Sequence, residues 1–237
     1  MGAEARRGLP LDASMTAIDL ATTAVRDANR QLQSAADGRF EMLNPRGAHA
    51  LACGLSAPLD VHVAGHVGYY CGGMNQHAAI SVAGNAGVGV GENMMSGRLH
   101  VRGDASQSAG ATGHGGLLVI DGNASARCGI AMKGIDIVVG GSVGHNSAFM
   151  AQAGHLVVCG DAEDGLGDSI YEAVIFVAGA VGALGADCVE KEMTADHLAR
   201  LTELLAAAGL GQDPARFRRY GSARQLYNFK VDNLSAY

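Results

Sequence analysis

Two glycine-containing motifs carry the residue types of known binding or catalytic loops. Gly87-Val88-Gly89-Val90-Gly91 is similar to a phosphate-binding loop, and Gly140-Gly141-Ser142-Val143-Gly144 matches the Gly-x-Ser-x-Gly motif of a serine nucleophile. The first motif requires a helix directly after the glycines, and the second requires a strand, a turn and a helix in that order. Because another strand pattern follows each motif instead of a helix, we interpret both motifs, and Arg102-Gly103-Asp104, as turns.

The cysteines are a second possible source of chemistry. The chain has five of them and no Cys-x-x-Cys pair, which disfavours a disulfide framework or a zinc module. Cys71 and Cys128 occupy the same position of the repeat described below, three repeats apart, roughly 14 Å, which is too far for a disulfide or one metal ion. Cys53, Cys159 and Cys188 have no partner at a suitable spacing. We therefore predict buried, reduced thiols.

The spacing of the histidines and acidic residues does not assemble a site. His62 and His100 lie two repeats apart, while His66 and His145 fall at different repeat positions, which is poor geometry for a shared metal ion. Glu92-Asn93 and the loop Gly113-His114-Gly115-Gly116 could line a cavity, but no acid–base pair accompanies them. We predict no catalytic, cofactor-binding or metal-binding residue on this chain.

The strongest signal in the sequence is a repeat with a constant period of 19 residues. Its glycines, here called the anchor glycines, are Gly65, Gly84, Gly103, Gly122, Gly141, Gly160 and Gly179. The residues four and two places before each anchor, and two places after it, are aliphatic in all 21 cases. The residue directly after each anchor, here called the turn column, is mostly short and polar: His66, Asn85, Asp104, Asn123, Ser142, Asp161 and Ala180.

The repeat predicts the fold. Alternating aliphatic residues indicate a short strand before each anchor, and the glycine is typical of a sharp turn or a positive φ. One repeat is too short to bury a face alone, but it can form one coil of a parallel β-helix. The sequence predicts an all-β dominated, right-handed parallel β-helix, that is, a single-stranded solenoid of about seven coils, roughly 29 Å long, with flanking α-helices.

Helical patterns flank the repeat, and we expect them to cover the open ends of the solenoid. The first, residues 22–36, is capped by Thr22 and has one apolar face: Val25, Ala28, Leu32 and Ala35. The second, residues 194–208, ends at Gly209 and has another: Leu198, Leu201, Leu205 and Ala208. The predicted domains are an N-terminal cap with a helix and lead-in strands (1–60), the β-helix (61–190), and a C-terminal helix with an extended interface tail (191–237).

Two surfaces point to partners. The residues three places before the anchors, here called the outer column, change from polar to apolar along the chain: His62, Ser81, His100, Val119, Val138, Val157 and Phe176. Either a flanking helix or another subunit covers the apolar part. The tail, residues 215–237, holds five of the 11 aromatic residues and a net charge of +4, which favours an interface arm, with folding back onto the solenoid as the alternative.

Composition excludes several classes of protein. A hydrophobic share of 48% excludes general disorder, and the 35 glycines follow no collagen period. A net charge of −6 disfavours nucleic acid as the main partner. The sequence has no apolar run long enough to predict a membrane span, and residues 1–10 lack the apolar core of a secretory signal, so we expect a cytoplasmic protein.

Several long motifs resemble the GXGXG β-helix domain family. They are residues 65–70, 84–97, 122–129 and 166–172, and the similarity extends from about Leu11 to Asp187. The family includes the C-terminal domain of the glutamate synthase large subunit and the GXGXG subunit of formylmethanofuran dehydrogenase. The ending, residues 217–233, makes the chain most similar to the GXGXG subunit of N-methylglutamate synthase, that is, methylamine–glutamate N-methyltransferase.

The resemblance implies a non-catalytic subunit of a transferase, in which methylamine and L-glutamate give N-methyl-L-glutamate and ammonia. The expected partners are a class II amidotransferase-like subunit and a glutamate-synthase-like subunit that binds FMN, so FMN is expected on a partner and no cofactor on this chain. The complex is expected to be a hetero-oligomer without nucleic acid or membrane. The alternatives are the GXGXG subunit of a formylmethanofuran dehydrogenase or formyltransferase–hydrolase complex, and an independent β-helix enzyme with a groove site.

Overall fold

The computed structural model describes residues 15–224 and contains one sheet of 11 strands. The strands are β1 (Thr16–Asp19), β2 (Gly38–Leu43), β3 (Leu59–Val63), β4 (Ala79–Val82), β5 (Arg98–Val101), β6 (Leu117–Ile120), β7 (Lys133–Val139), β8 (Ala153–Val158), β9 (Val174–Val177), β10 (Cys188–Lys191) and β11 (Arg218–Ser222). The helices are α1 (Val25–Ser34), α2 (Ala195–Ala208) and a 3-10 turn at Pro214–Arg216. Strands β1 to β9 are neighbours in sequence order, with β11 and then β10 completing the sheet.

The repeat sets the register of the sheet. Val61 pairs with Ile80, Ile80 with Leu99, and each strand from β5 to β8 pairs in parallel with the strand one repeat on. Both aliphatic positions before the anchors are buried in every coil, and the position after the anchors forms a second row of parallel bridges, in which Val181 alone is only partly buried. The predicted parallel β-solenoid with flanking helices is confirmed.

The solenoid begins earlier than the strict repeat indicates. β2 pairs in parallel with β3 in a register that joins Gly38 to Leu59, an offset slightly longer than the repeat. The chain between these strands follows the same path as the next coil, since Gly72 N–H donates to Leu51 O and Met42 O accepts from Ala64 N–H. Two inserted residues therefore hide one further coil from a search for a fixed period.

The turn column forms a ladder of hydrogen bonds along the solenoid. Each side chain accepts a hydrogen bond from the backbone N–H of the turn-column residue one coil on: the Asn85 Oδ1–Asp104 N distance is 3.0 Å and the Asn123 Oδ1–Ser142 N distance is 2.8 Å. Six such bonds connect the column from His66 to Ala180. Short polar residues recur at this position because they satisfy the backbone of the neighbouring coil.

The same ladder explains six of the seven anchor glycines. The sequence predicted either a sharp turn or a positive φ at the anchors, and the second alternative is wrong from Gly84 to Gly179, because none of these glycines adopts a positive φ. A Cβ at Gly160 would lie 2.5 Å from Ser142 Oγ, and a Cβ at Gly103 would overlap Asn85 Oδ1. The anchor must lack a side chain because the turn-column side chain of the preceding coil crosses directly over it.

A double-mutant cycle tests this explanation. We expect Gly103→Ala to destabilise the protein by about 2 kcal/mol, because the new methyl group displaces the Asn85 side chain and leaves the Asp104 N–H unpaired. Asn85→Ala alone should cost about 1 kcal/mol, the value of the lost hydrogen bond. Because the overlap is absent in the double variant, its cost should fall clearly below the sum, as measured by denaturant unfolding. Strictly additive costs would contradict the explanation.

Helix α1 is shorter than the sequence predicts. It begins at Val25 rather than near Thr22, and its N-cap Ala24 makes no side-chain cap bond. Thr22 instead donates its hydroxyl hydrogen bond to Asp19 O, in the turn after β1. The predicted apolar face does pack against the solenoid core, through the buried Ala28 and Leu32.

Helix α2 covers the apolar part of the outer column. Thr194 caps it by accepting from His197 N–H, and Gly209, the predicted end of the helix, adopts the left-handed conformation. Val119, Val138, Val157 and Phe176 are fully buried in one cluster with α2. The helix face is rotated relative to the prediction, since Leu204 is buried and Leu198 is 39% exposed. The sequence left two covers possible for this column, a flanking helix or another subunit, and in the structure the cover is the flanking helix α2.

The first part of the tail folds back onto the solenoid. β11 lies between β9 and β10 and pairs antiparallel with both, so the expected extended arm is wrong for residues 218–222. Arg218 Nη2 also donates to Gly179 O at 2.9 Å, and Arg224 pairs with Asp187 at 2.6 Å. The rest of the predicted arm, including Tyr227, Phe229, Lys230 and Tyr237, lies outside the described residues.

Candidate functional site

The residues of the two glycine motifs have structural partners. Ser142 belongs to the turn column, and its Oγ accepts from Asp161 N–H at 2.9 Å, so it is a rung of the ladder. In the other motif, Gly87 lies where a Cβ would be 2.5 Å from the backbone of Gly68, and Gly89 and Gly91 have φ values of +68°. Both motifs are turns of the solenoid, as interpreted from the sequence.

The five cysteines are all free, and the predicted burial is confirmed for three of them, since Cys53 and Cys159 are only partly buried. Cys71 and Cys128 are fully buried, and Cys188 is nearly so. Burial raises the pKa of Cys128 to about 12 and those of Cys159 and Cys188 to about 11. It also raises the pKa values of Cys53 and Cys71. A nucleophilic thiol requires a lowered pKa, so these environments favour packing over catalysis.

This burial predicts slow thiol chemistry. In the folded protein at pH 8, we expect each cysteine to react with an alkylating reagent at least about a hundredfold more slowly than free cysteine, because little thiolate forms and access is restricted. The denatured protein should show all five thiols at ordinary rates. Labelling followed by peptide mass spectrometry measures both states. One rapidly labelled position in the folded protein, such as the half-buried Cys53, would contradict the expectation.

Histidine–carboxylate pairs lie on the outer face of the main sheet. His100 Nε2 and Asp121 Oδ1 are 2.7 Å apart, and His155 Nδ1 and Asp136 Oδ1 are also 2.7 Å apart. Asp136 additionally accepts from Arg200 of α2 at 2.6 Å, so this pair fixes the helix on the solenoid. Within residues 15–224, no group of three or more His, Cys, Asp or Glu side chains is arranged to hold a metal ion.

An open groove runs beside the turn column in the later coils, and the sequence reasoning missed it. It encloses about 570 Å³ and crosses four coils, from Asn123 to Gly182. Its floor is the row of small residues two places after the anchors, including Ala124, Val143 and Ala162. His145 also lines the groove, and its backbone N–H donates to Glu163 Oε2 at 3.0 Å. Small residues beside a polar column are the sequence signal that could have revealed it.

Glu92 and Asn93, singled out from the sequence, lie at a corner of the early coils. Asn93 Oδ1 accepts from the Thr112 hydroxyl at 2.8 Å. Partial burial raises the pKa of the Glu92 carboxyl, and a hydrogen bond from the Tyr70 hydroxyl opposes that shift. The loop residue His114 is held through its backbone N–H, which donates to Met94 O at 2.7 Å. These residues form hydrogen bonds between coils but no acid–base pair.

Large apolar side chains are exposed at the same corner. We call Tyr69, Tyr70, Met74, Val88 and Met95 the corner patch; each of them is 44–55% exposed. The Tyr69 and Tyr70 rings meet edge to face at 5.6 Å, and His49 stacks on Tyr69 at 3.8 Å. No helix within residues 15–224 is long and apolar enough to cross a membrane. A surface of this composition is typical of contact with another protein.

Comparisons with known proteins identify a relative along almost the whole chain. Protein GlxC of Rhizobium meliloti (strain 1021) is 60% identical over 228 residues, which cover 94% of this chain and 100% of the relative. No protein-family model matches the chain.

Proposed function

Because the chain belongs to the family of protein GlxC, with which it shares 60% identity over the relative's full length, we propose that it is the structural β-helix subunit of a glutamate-synthase-like complex. It spaces a class II amidotransferase-like subunit from an FMN-binding subunit and contributes no catalytic residue. The reaction is that of N-methylglutamate synthase: methylamine and L-glutamate give N-methyl-L-glutamate and ammonia. The chemistry and the FMN belong to the partner subunits.

The observation that carries the proposal is the unbroken connection between coils. Parallel pairing joins β2 to β9 without interruption, the small residues after the anchors form a second row, and the turn-column ladder forms a third. A solenoid whose coils are hydrogen-bonded to each other along three rows resists bending. Two subunits bound at different coils are therefore held at a fixed separation. Fixed separation is the property required for a small amine to pass between two active sites.

The surface is consistent with assembly. The corner patch exposes apolar side chains on the early coils, while α2 covers the apolar outer column on the later coils. Partner contacts are therefore expected at the corners of the coils rather than on the later part of the main sheet. Subunits bound at the corners of different coils are separated along the long axis of the solenoid.

The choice of methylamine rests on the resemblance of residues 217–233 to the ending of the N-methylglutamate synthase subunit. Of this segment, Phe217 and Tyr220 are buried against the solenoid, and residues from 225 onward lie outside the described part. The segment therefore supports the assignment through its sequence. The substrate is the part of the proposal to test most directly.

Gentle purification of the tagged chain from its native host tests the proposal. We expect a yellow complex that contains FMN and an amidotransferase-like chain and that forms N-methyl-L-glutamate from methylamine and L-glutamate. Ammonia labelled with ¹⁵N in place of methylamine is the matched control, because its exchange with L-glutamate returns L-glutamate, and incorporation of ¹⁵N into glutamate as fast as N-methyl-L-glutamate forms would contradict the assigned substrate. A colourless complex with a metallohydrolase and a formyltransferase would favour the formyl-carrier alternative. A chain that emerges alone would contradict the structural role.

A further inference from the structure

A small pocket lies at the C-terminal end of the solenoid, where β10 and β11 meet the start of β9. It encloses about 160 Å³, and its lining includes four charged residues: Glu172, Lys191, Arg219 and Arg224. Three of these four are basic, although the chain as a whole has a net charge of −6. The pocket therefore concentrates positive charge on an acidic protein.

The register of β10 and β11 holds two of the basic side chains on one face. Lys191 lies directly opposite Arg219 in this antiparallel pair, so both side chains leave the sheet on the same side. A Cβ at Gly221 would lie 3.7 Å from Lys191 Cδ, so the lysine side chain extends over Gly221, which also lines the pocket. Like charges directly opposite each other destabilise a sheet. An anion bound between them removes this repulsion.

Few groups of the protein neutralise these two cations. Among residues 15–224, Lys191 forms no ion pair and no side-chain hydrogen bond, and Arg219 forms no ion pair. Arg219 Nε donates instead to the backbone O of Glu192 at 2.7 Å. Burial lowers the pKa of Arg219, and the charge of the Glu192 carboxylate opposes this shift. Two partly buried basic side chains thus share one pocket without a carboxylate bound to either.

The size and charge of the pocket fit one small dianion. A water molecule occupies about 30 Å³ in the liquid, so 160 Å³ is space for a phosphate ion but not for a nucleotide. A guanidinium presents paired N–H donors to the oxygens of phosphate, and an ammonium adds a compact positive charge. Glu172 is the one acidic residue of the lining, and it disfavours anions with further negative charges.

From these observations we infer that the pocket binds a small phosphate dianion between Lys191 and Arg219, as inorganic phosphate or as the phosphate group of a small monoester. The inference does not rest on the proposed function. The bound anion connects β10 to β11, and Arg219 connects it to Glu192, in the segment between β10 and α2. The site therefore stabilises the end of the solenoid from which α2 begins.

Titration of the ¹⁵N-labelled chain with inorganic phosphate, followed by NMR, tests the site. Near pH 7.5 and at constant ionic strength, we expect saturable shifts of the amide signals of Ala173 and Gly221, with a Kd of about 1 mM for two charge-assisted contacts. Lys191→Gln should raise the Kd at least about tenfold, because it removes one of the two charges and nearly preserves the length of the side chain.

Arg218→Gln is the matched control. Arg218 precedes Arg219 on β11, and its side chain points to the opposite face, where it pairs with Glu190 at 3.5 Å. This variant also loses one positive charge, but it should bind phosphate within about twofold of the wild type. Glu172→Gln should lower the Kd by about twofold or more, since it removes a like charge from the lining. Unfolding curves confirm that all three variants fold.

The outcomes separate the possible occupants. Saturable binding of glycerol phosphate at least as tight as that of inorganic phosphate would assign the site to a monoester, and weaker binding would assign it to the free ion. Shifts that do not saturate, or that persist unchanged in Lys191→Gln, would indicate an adventitious ion only and overturn the inference. Binding that occurs only after deletion of residues 225–237 would assign the pocket to the chain's own tail and overturn it as well.

Discussion

Removing one whole coil, residues 103–121, is expected to lower the formation of N-methyl-L-glutamate at least about tenfold while FMN stays bound to its own subunit. The deletion joins Arg102 to Gly122 and keeps the repeat in register, so Asn85 Oδ1 can accept from Asn123 N–H instead of Asp104 N–H. The solenoid shortens by one strand spacing, about 4.8 Å. A misplacement of about 1 Å can cost a hundredfold in rate, so a change of this size should uncouple the two sites.

Duplication of residues 103–121 is the matched control. It keeps the His100–Asp121 contact, which the deletion removes, and changes the spacing in the opposite direction. If spacing governs coupling, both variants lose activity, and the FMN content, read from visible absorbance, stays that of the wild type. A loss in the deletion alone would indicate damage to the fold. Unchanged coupling in both variants would rule out the spacer role.

The repeat made most of the solenoid predictable, because every coil places the same residue types at the same positions. The spacing of Val61, Ile80 and Leu99 determines both the strand positions and the parallel register. The coil formed by β2 and the chain after it was not predicted, since the longer offset between Gly38 and Leu59 breaks the period. A fixed-period search fails where the chain inserts residues in a corner without moving the strands.

The role of the anchor glycines could not be read from their own positions. A glycine after a strand is typical of a turn with positive φ, yet Gly103 and Gly122 are required by the side chains of Asn85 and Asp104 in the coil before. The reverse occurs at other corners, where Tyr70, Ser108 and Arg127 adopt φ values of 60° without being glycine. Hydrogen bonds between coils stabilise these conformations, and such bonds are not visible in the propensity of a single residue.

The surface was the least predictable part. The sequence left open whether a helix or a subunit covers the outer column, because the column shows only that something apolar must cover it. It also placed Leu198 rather than Leu204 on the buried face of α2. Both lie on an apolar side of the helix, and the angle at which α2 packs on the sheet decides between them. The corner patch was missed because its members occupy four different positions of the repeat.

Phe176→Ala is expected to destabilise the protein by about 3–5 kcal/mol, the cost of removing a large aromatic side chain from a packed cluster. Phe176 is fully buried between the main sheet and α2, together with Val157 and Leu201. Its ring is parallel to that of His155 at 6.3 Å. Loss of the ring leaves a cavity at the centre of the contact that fixes α2, and denaturant unfolding measures the cost.

Leu198→Ala is the control, since Leu198 lies on the same helix but is 39% exposed; its cost should stay below about 1 kcal/mol. Comparison of Phe176→Ala with Leu198→Ala also tests whether α2 or another subunit covers the outer column in solution. If Phe176→Ala costs no more than Leu198→Ala, α2 does not protect the outer column, and the apolar row from Val119 to Phe176 becomes available to a subunit. A large difference instead confines partner contacts to surfaces that α2 leaves open, which include the corner patch.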